Sequence, residues 1–269
     1  MLYYIWKLVN TEIMKDLPKE WYRELEHKKV AICTPMISGE CCSAYLQSMV
    51  NLVSLLNSLN IKFKLITMDG VSVIDLARNL LTHQFLKTDA DYLMFKDADM
   101  GFDPAYVPLM MFYGKDITTG PSPKKEINWD RINQATNQSN FFKKINLKYL
   151  ASNYILGKID CNKEDFSPLE MVRMDRAGTG FTLIKRKVFE ELSKKAKHFY
   201  WEDSKIKIFF NISYENEKFH GEDIYFTKEA KKAGFEVWLC PWMEIIHVGQ
   251  YRYVGDFKSL EDYDEYIKS

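Results

Sequence analysis

The sequence predicts an α/β protein with a mostly parallel central sheet and helices on both of its faces. Three observations carry that prediction. Between residues 30 and 120, short apolar runs alternate with segments of helical periodicity. That β-α-β-α-β order requires crossover connections, and hence parallel strands. The strand candidates VAICTP and YLMF are apolar almost throughout, as strands buried on both faces must be. A chain of 269 residues is also long enough to bury a substantial core.

Each element follows from its local pattern. After a charged connector from Lys15 to Lys29, VAICTP (30–35) reads as a buried strand closed by Pro35. SAYLQSMVNLVSLLNSL (43–59) sets its apolar residues at helical spacing, and IKFKLITM (61–68) alternates as a strand does. VIDLARNLLTHQFLKT (73–88) is again helical, and DYLMFKDAD (91–99) is the next strand. Asp103-Pro104 opens a helix over AYVPLMMFYG, and DITTG (116–120) is a short strand. Residues 126–166 are polar, Asn-rich and weakly patterned, an irregular insertion or loop. MVRMDRAG is strand-like, and GTGFTLIKRKVFEEL reads as a strand followed by a helix. GEDIYFTKEAKKAG (221–234) is a helix, FEVWLC (235–240) a strand, and residues 250–269 an aromatic, acidic tail.

Composition narrows the function. Lys+Arg and Asp+Glu number 37 each, which argues against a chain that coats nucleic acid or an anionic membrane. The five cysteines are odd in number and form no CxxC pair, so they fit a reducing compartment and structural roles. MLYYIWKLVN is apolar but short and interrupted by Lys7; it is read as a first strand or packing segment. No run approaches the roughly 18 apolar residues of a spanning helix, so a cytoplasmic protein is expected.

YLMFKDADMGFDP carries the chemistry. An apolar strand runs into Asp97 and Asp99, like charges separated by Ala98, which leaves room for a ligand. Side chains at i and i+2 of an extended segment share a side, so the two carboxylates are expected to form one acidic spot. Such a spot ionises readily only beside a cation, and oxygen donors without thiolates favour Mg²⁺ or Mn²⁺. An Asp-rich turn after a strand fits the same residues, as does a phosphatase-type aspartate pair. Three later segments add weight. Gly178-Thr179-Gly180 stands before a strand, where paired glycines allow positive φ and close backbone approach. Glu222 and Asp223 open an amphipathic helix, either as dipole-favoured first-turn acids or as a general base. His247 follows an apolar run and is either a core residue or a further metal ligand.

In this order the four features resemble the GT-A glycosyltransferases, enzymes of Rossmann-like α/β/α architecture that use nucleotide-sugar donors. The resemblance rests on Asp97-Ala98-Asp99 as DxD, Gly178-Thr179-Gly180 as the glycine loop, Gly221-Glu222-Asp223 as xED and His247 as the C-terminal His, over residues 28–250. It implies one catalytic domain over 1–269, with an extension at 1–29 and a small antiparallel addition to the sheet near the site. It also implies a Mn²⁺ or Mg²⁺ ion held by Asp97, Asp99 and His247, with Asp99 the direct ligand. Asp223 would be the base, with Glu222 beside it. Thr34, Pro35, Arg78, Asp97, Ala98 and the glycine loop would meet a UDP- or GDP-sugar. Lys124, Lys125 and Trp129 match no hallmark of that family and are read as an acceptor site. The acceptor is a hydroxyl on a glycan, a protein, a lipid-linked sugar or a modified nucleobase. Two other readings stand beside this one: a nucleotidyl- or phosphoryl-transferring enzyme with the same acidic site, and a non-catalytic binding protein of the same fold.

Overall fold

All five residues of Tyr92–Lys96 are buried because the strand feeds two cores at once. Tyr92 and Met94 point into one apolar cluster, Leu93 and Phe95 into the other; successive strand side chains face opposite ways. The computed structural model describes residues 21–137, 147–158, 169–215 and 217–252, with the backbone alone at Tyr22. The MLYYIWKLVN segment and the tail beyond Arg252 lie outside the described residues.

The strands are β1 (Lys29–Met36), β2 (Lys62–Asp69), β3 (Tyr92–Lys96), β4 (Met100–Gly101), β5 (Ile117–Thr119), β6 (Val172–Met174) and β7 (Phe181–Lys185). They continue as β8 (His198–Trp201), β9 (Ser204–Lys207), β10 (Ser213–Glu215), β11 (Lys218–His220), β12 (Val237–Leu239) and β13 (Ile246–His247). The α-helices are α1 (Ser43–Ser58), α2 (Ile74–Leu86), α3 (Tyr106–Tyr113), α4 (Trp129–Thr136), α5 (Arg186–Ser193) and α6 (Glu222–Lys232).

Among the described residues seven strands form one sheet in the order β2-β1-β3-β7-β5-β12-β6. β1, β2, β3, β5 and β12 run one way, while β7 and the edge strand β6 run the other. The sheet is therefore mostly parallel, as expected. Helices cover both faces: α1 and α3 pack with Trp21 and Leu25 on one side, and α2, α5 and α6 on the other. The small antiparallel addition is β13 on β4, pairing His247 with Met100.

Two expectations are corrected, and two features go beyond what the sequence foretold. β3 ends at Lys96, not at Asp99, and residues 97–100 form a turn closed by Met100 N–H donating to Asp97 O at 3.2 Å. β7 enters antiparallel between β3 and β5, which the alternation of elements does not foretell. The 126–166 insertion holds a helix, α4, whose N-cap Asn128 accepts from Arg131 N–H at 2.8 Å. The hairpins β8-β9 and β10-β11 add two short ladders to a stretch with no expected strands. No helix among the described residues is long and apolar enough to cross a membrane.

Candidate active site

The acidic turn stands at the carboxyl end of β3, where sheets of this kind place ligand groups. Three neighbours pin its backbone. Asp97 N–H donates to Gly180 O at 3.0 Å, Cys42 N–H to Ala98 O at 3.0 Å, and Val248 N–H to Asp99 O at 2.8 Å. The turn, the glycine loop, the start of α1 and the end of β13 thus meet at one point.

Because β3 ends at Lys96, the two carboxylates part company. Asp97 turns to Arg78, whose Nη2 donates to its Oδ1 at 3.1 Å. Arg78 Nε reaches Glu222 Oε1 at 3.3 Å, and Phe95 lies under the guanidinium at 5.0 Å. Burial opposes the charge on Arg78, but Asp97 and Glu222 outweigh it and raise its pKa. This side chain, read from the sequence as a donor contact, is buried and joins the acidic turn to the head of α6.

Asp99 faces the other way. Its Oδ2 pairs with Lys125, and its Oδ1 lies 3.3 Å from His247 Nε2. Burial alone would raise the Asp99 carboxyl, yet His247, when its ring is protonated, and the Lys125 ammonium hold it well below the usual carboxylate range. His247 Nδ1 stands 2.6 Å from Pro123 O. A carbonyl only accepts, so Nδ1 carries the proton, and in the neutral ring Nε2 turns its lone pair toward a carboxylate oxygen. Among the described residues, Asp99 Oδ1 is buried and meets no hydrogen-bond donor of good geometry.

Two facing lone pairs of this kind suit a cation. Cis ligands about 2.1 Å from an octahedral Mg²⁺ stand about 3.0 Å apart, close to the spacing seen here. A histidine whose other nitrogen donates to a backbone carbonyl is the usual metal-binding arrangement. Among the described residues, however, no group of three His, Cys, Asp or Glu converges on one position. Asp99 and His247 thus offer two donors suited to a hard ion, while Asp97 is bonded to Arg78.

The glycine loop supplies space, not unusual φ. Neither Gly178 nor Gly180 has positive φ. A Cβ on Gly180 would stand 2.8 Å from Asp97 Oδ2 and 2.7 Å from Met100 Cε; one on Gly178 would stand 3.1 Å from Ile155 Cγ2 and 3.5 Å from Asp223 Oδ2. Gly180→Ala is therefore expected to cost about 1–3 kcal/mol through overpacking, and Gly178→Ala distinctly less. Paired denaturant melts check the ranking, which equal losses would contradict. Thr179 between them is buried, with no hydrogen-bond partner for its hydroxyl among the described residues.

Asp223 opens α6 beside this loop. Its Oδ1 accepts from Ile224 N–H at 2.6 Å, which leaves Oδ2 toward Gly178. Burial first, and the charge of Glu222 second, push its pKa up to about 6. Glu222 is committed to Arg78, so Asp223 is the carboxylate with a free oxygen near physiological pKa.

The remaining expected residues divide. Thr34 and Pro35 are buried at the end of β1, with Thr34 Oγ1 2.9 Å from the Tyr45 hydroxyl. Lys124 lines a groove of about 690 Å³ with Pro123, Tyr154, Trp242, Glu244 and His247. Trp129 is not part of that wall and stands exposed at the start of α4. Sequence reasoning missed Lys96, whose buried ammonium has no hydrogen-bond partner among the described residues. It lies over the rings of Phe102, Phe181 and Tyr45 at 4.8, 5.4 and 5.9 Å, and burial lowers its pKa to about 7. A lysine ending an apolar strand was the available signal.

No family model matches the chain, and no curated protein matches it in sequence. Solved structures similar in fold include GalNAc-T7 with UDP, GalNAc and Mn²⁺, at 12% identity and a TM-score of 0.47 over 91% of this chain. The chain spans 49% of that protein's length. The inositol-1-phosphate CTP transferase from T. maritima is similar at 11% identity and a TM-score of 0.40, over 87% of this chain and 94% of that one.

Proposed function

We propose that the chain is a metal-dependent GT-A glycosyltransferase that moves a sugar from a nucleoside-diphosphate-sugar to a hydroxyl acceptor with inversion. The observation that supports this reading is the meeting of four distant segments at the end of β3: the acidic turn, the glycine loop, the head of α6 and His247. Asp99 Oδ1 and His247 Nε2 would hold a Mn²⁺ or Mg²⁺ ion, which when bound neutralises charge on the leaving nucleoside diphosphate. Asp223 takes the proton of the acceptor hydroxyl through its free oxygen. Arg78 bridges Asp97 and Glu222 and so ties the acidic turn to the head of the helix that carries the base.

Thermal melts with UDP or GDP, with and without Mn²⁺, test the reading. A metal-dependent rise in Tm is expected for one of the two, and it should vanish in Asp99→Asn. Stabilisation that survives Asp99→Asn unchanged would remove the metal assignment. A screen of nucleotide sugars for Mn²⁺-dependent hydrolysis then separates the chemistries. Release of nucleoside diphosphate supports sugar transfer, whereas pyrophosphate would indicate the nucleotidyl-transferring alternative.

A further inference from the structure

Lys125 reaches the acidic turn itself. Its ammonium pairs with Asp99 Oδ2, on the far side of the carboxylate from the oxygen that faces His247. The two side chains are 41% and 39% exposed, so a ligand can reach the pair. The lysine stem nevertheless lies in a space that a glycine leaves open. A Cβ on Gly249 would stand 2.9 Å from Lys125 Cδ and 3.1 Å from its Cγ, so the stem fits there because residue 249 has no side chain. The chain just before it is anchored as well. Pro123 O binds His247 Nδ1 at 2.6 Å, and Lys124 N–H donates to Asn153 O at 2.7 Å. A lysine that only neutralised a surface carboxylate would need neither constraint.

The charges of the proposed reaction point the same way. Asp97 is already neutralised by Arg78. When the anomeric C–O bond breaks, its electron pair stays on the phosphate oxygen, so the leaving diphosphate gains one negative charge. The acceptor oxygen forms the new bond to the anomeric carbon, and its proton goes to Asp223. A preplaced cation lowers the energy of that charge without having to reorganise during the step. We propose that Lys125 is a diphosphate-binding residue, parked on the open side of Asp99 in the room that Gly249 leaves for its stem until the donor's diphosphate replaces the carboxylate as its partner. This assignment rests on the nucleotide-sugar reading and takes Lys125 out of the acceptor site.

The test is equilibrium binding of UDP, GDP, UMP and GMP in the presence of Mn²⁺, measured by calorimetry on the full chain. Lys125→Met is expected to weaken the bound nucleoside diphosphate about tenfold while leaving the monophosphates unchanged. Lys125→Arg should restore most of the loss. Gly249→Ala keeps the ammonium but displaces its stem, and it should reproduce the same selective loss on a smaller scale. Equal weakening of diphosphate and monophosphate in Lys125→Met, or no change in either, would overturn the assignment while the nucleotide-sugar reading stands. A wild-type protein that binds neither diphosphate overturns both.

Discussion

Asp223→Asn is expected to lower kcat by about 10²–10⁴ and, at pH 8, to make the protein more stable. Both effects come from one carboxyl. In the wild type, kcat/KM should rise with pH through an inflection near the Asp223 value of about 6, and the Asn variant should lose that limb. The stability sign follows from linkage. The folded pKa lies above the unfolded value of about 3.9, so the folded state binds the proton more tightly. Stability from this group is fully present below about pH 4 and is lost as pH rises through about 6. Above that, the ionised carboxylate costs at most about 3 kcal/mol, less what water reaching it screens. Asparagine carries no such charge. Denaturant melts at pH 8 and pH 4 should show a gain for the variant at the higher pH only. A gain of the same size at both would mean that charge is not its origin.

Arg78→Met is expected to destabilise the fold by about 3–5 kcal/mol, because it leaves Asp97 and Glu222 charged, mostly buried and unpaired. The loss should appear as a lower denaturant midpoint with an unchanged slope. Adding Glu222→Gln to Arg78→Met should recover part of it, since one uncompensated charge is removed. Arg78→Lys should be a poor substitute. One ammonium cannot reproduce a guanidinium that sends Nε to Glu222 and Nη2 to Asp97 in one plane. If the double variant is as unstable as Arg78→Met, the cost lies in lost packing against Phe95, not in the stranded acids.

The sheet and its helices were legible because β1 and β3 are apolar runs separated by helical periods, the pattern that burial on both faces of a strand demands. The four site segments were legible as residue types out of place: acids after an apolar strand, glycines before another, a histidine after a third. What sat between them was not. Arg78 bonds to acids 19 and 144 residues away, and no local pattern encodes such a meeting. Adjacency groups Lys125 with Lys124 and Trp129, yet the loop sends the two lysines to different places. The hairpin β8-β9 does leave a trace in the sequence. HFYW and SKIK flank Glu202-Asp203, and Glu202 takes φ of 50° to turn the chain.

The antiparallel entry of β7 has a consequence for how this site can vary. Phe181 pairs with Lys96, so Gly180 and Asp97 are the next residues out from the same ladder rung. The distance between glycine loop and acidic turn is thus set by strand pairing, whatever the length of the chain between them. Inserting residues before Met171 leaves that pairing untouched. Inserting one residue between Gly180 and Thr182 shifts it and brings a side chain to the position where Asp97 has no room for one. A change of length is tolerable ahead of Met171 and ruinous at the step from Gly180 to Thr182.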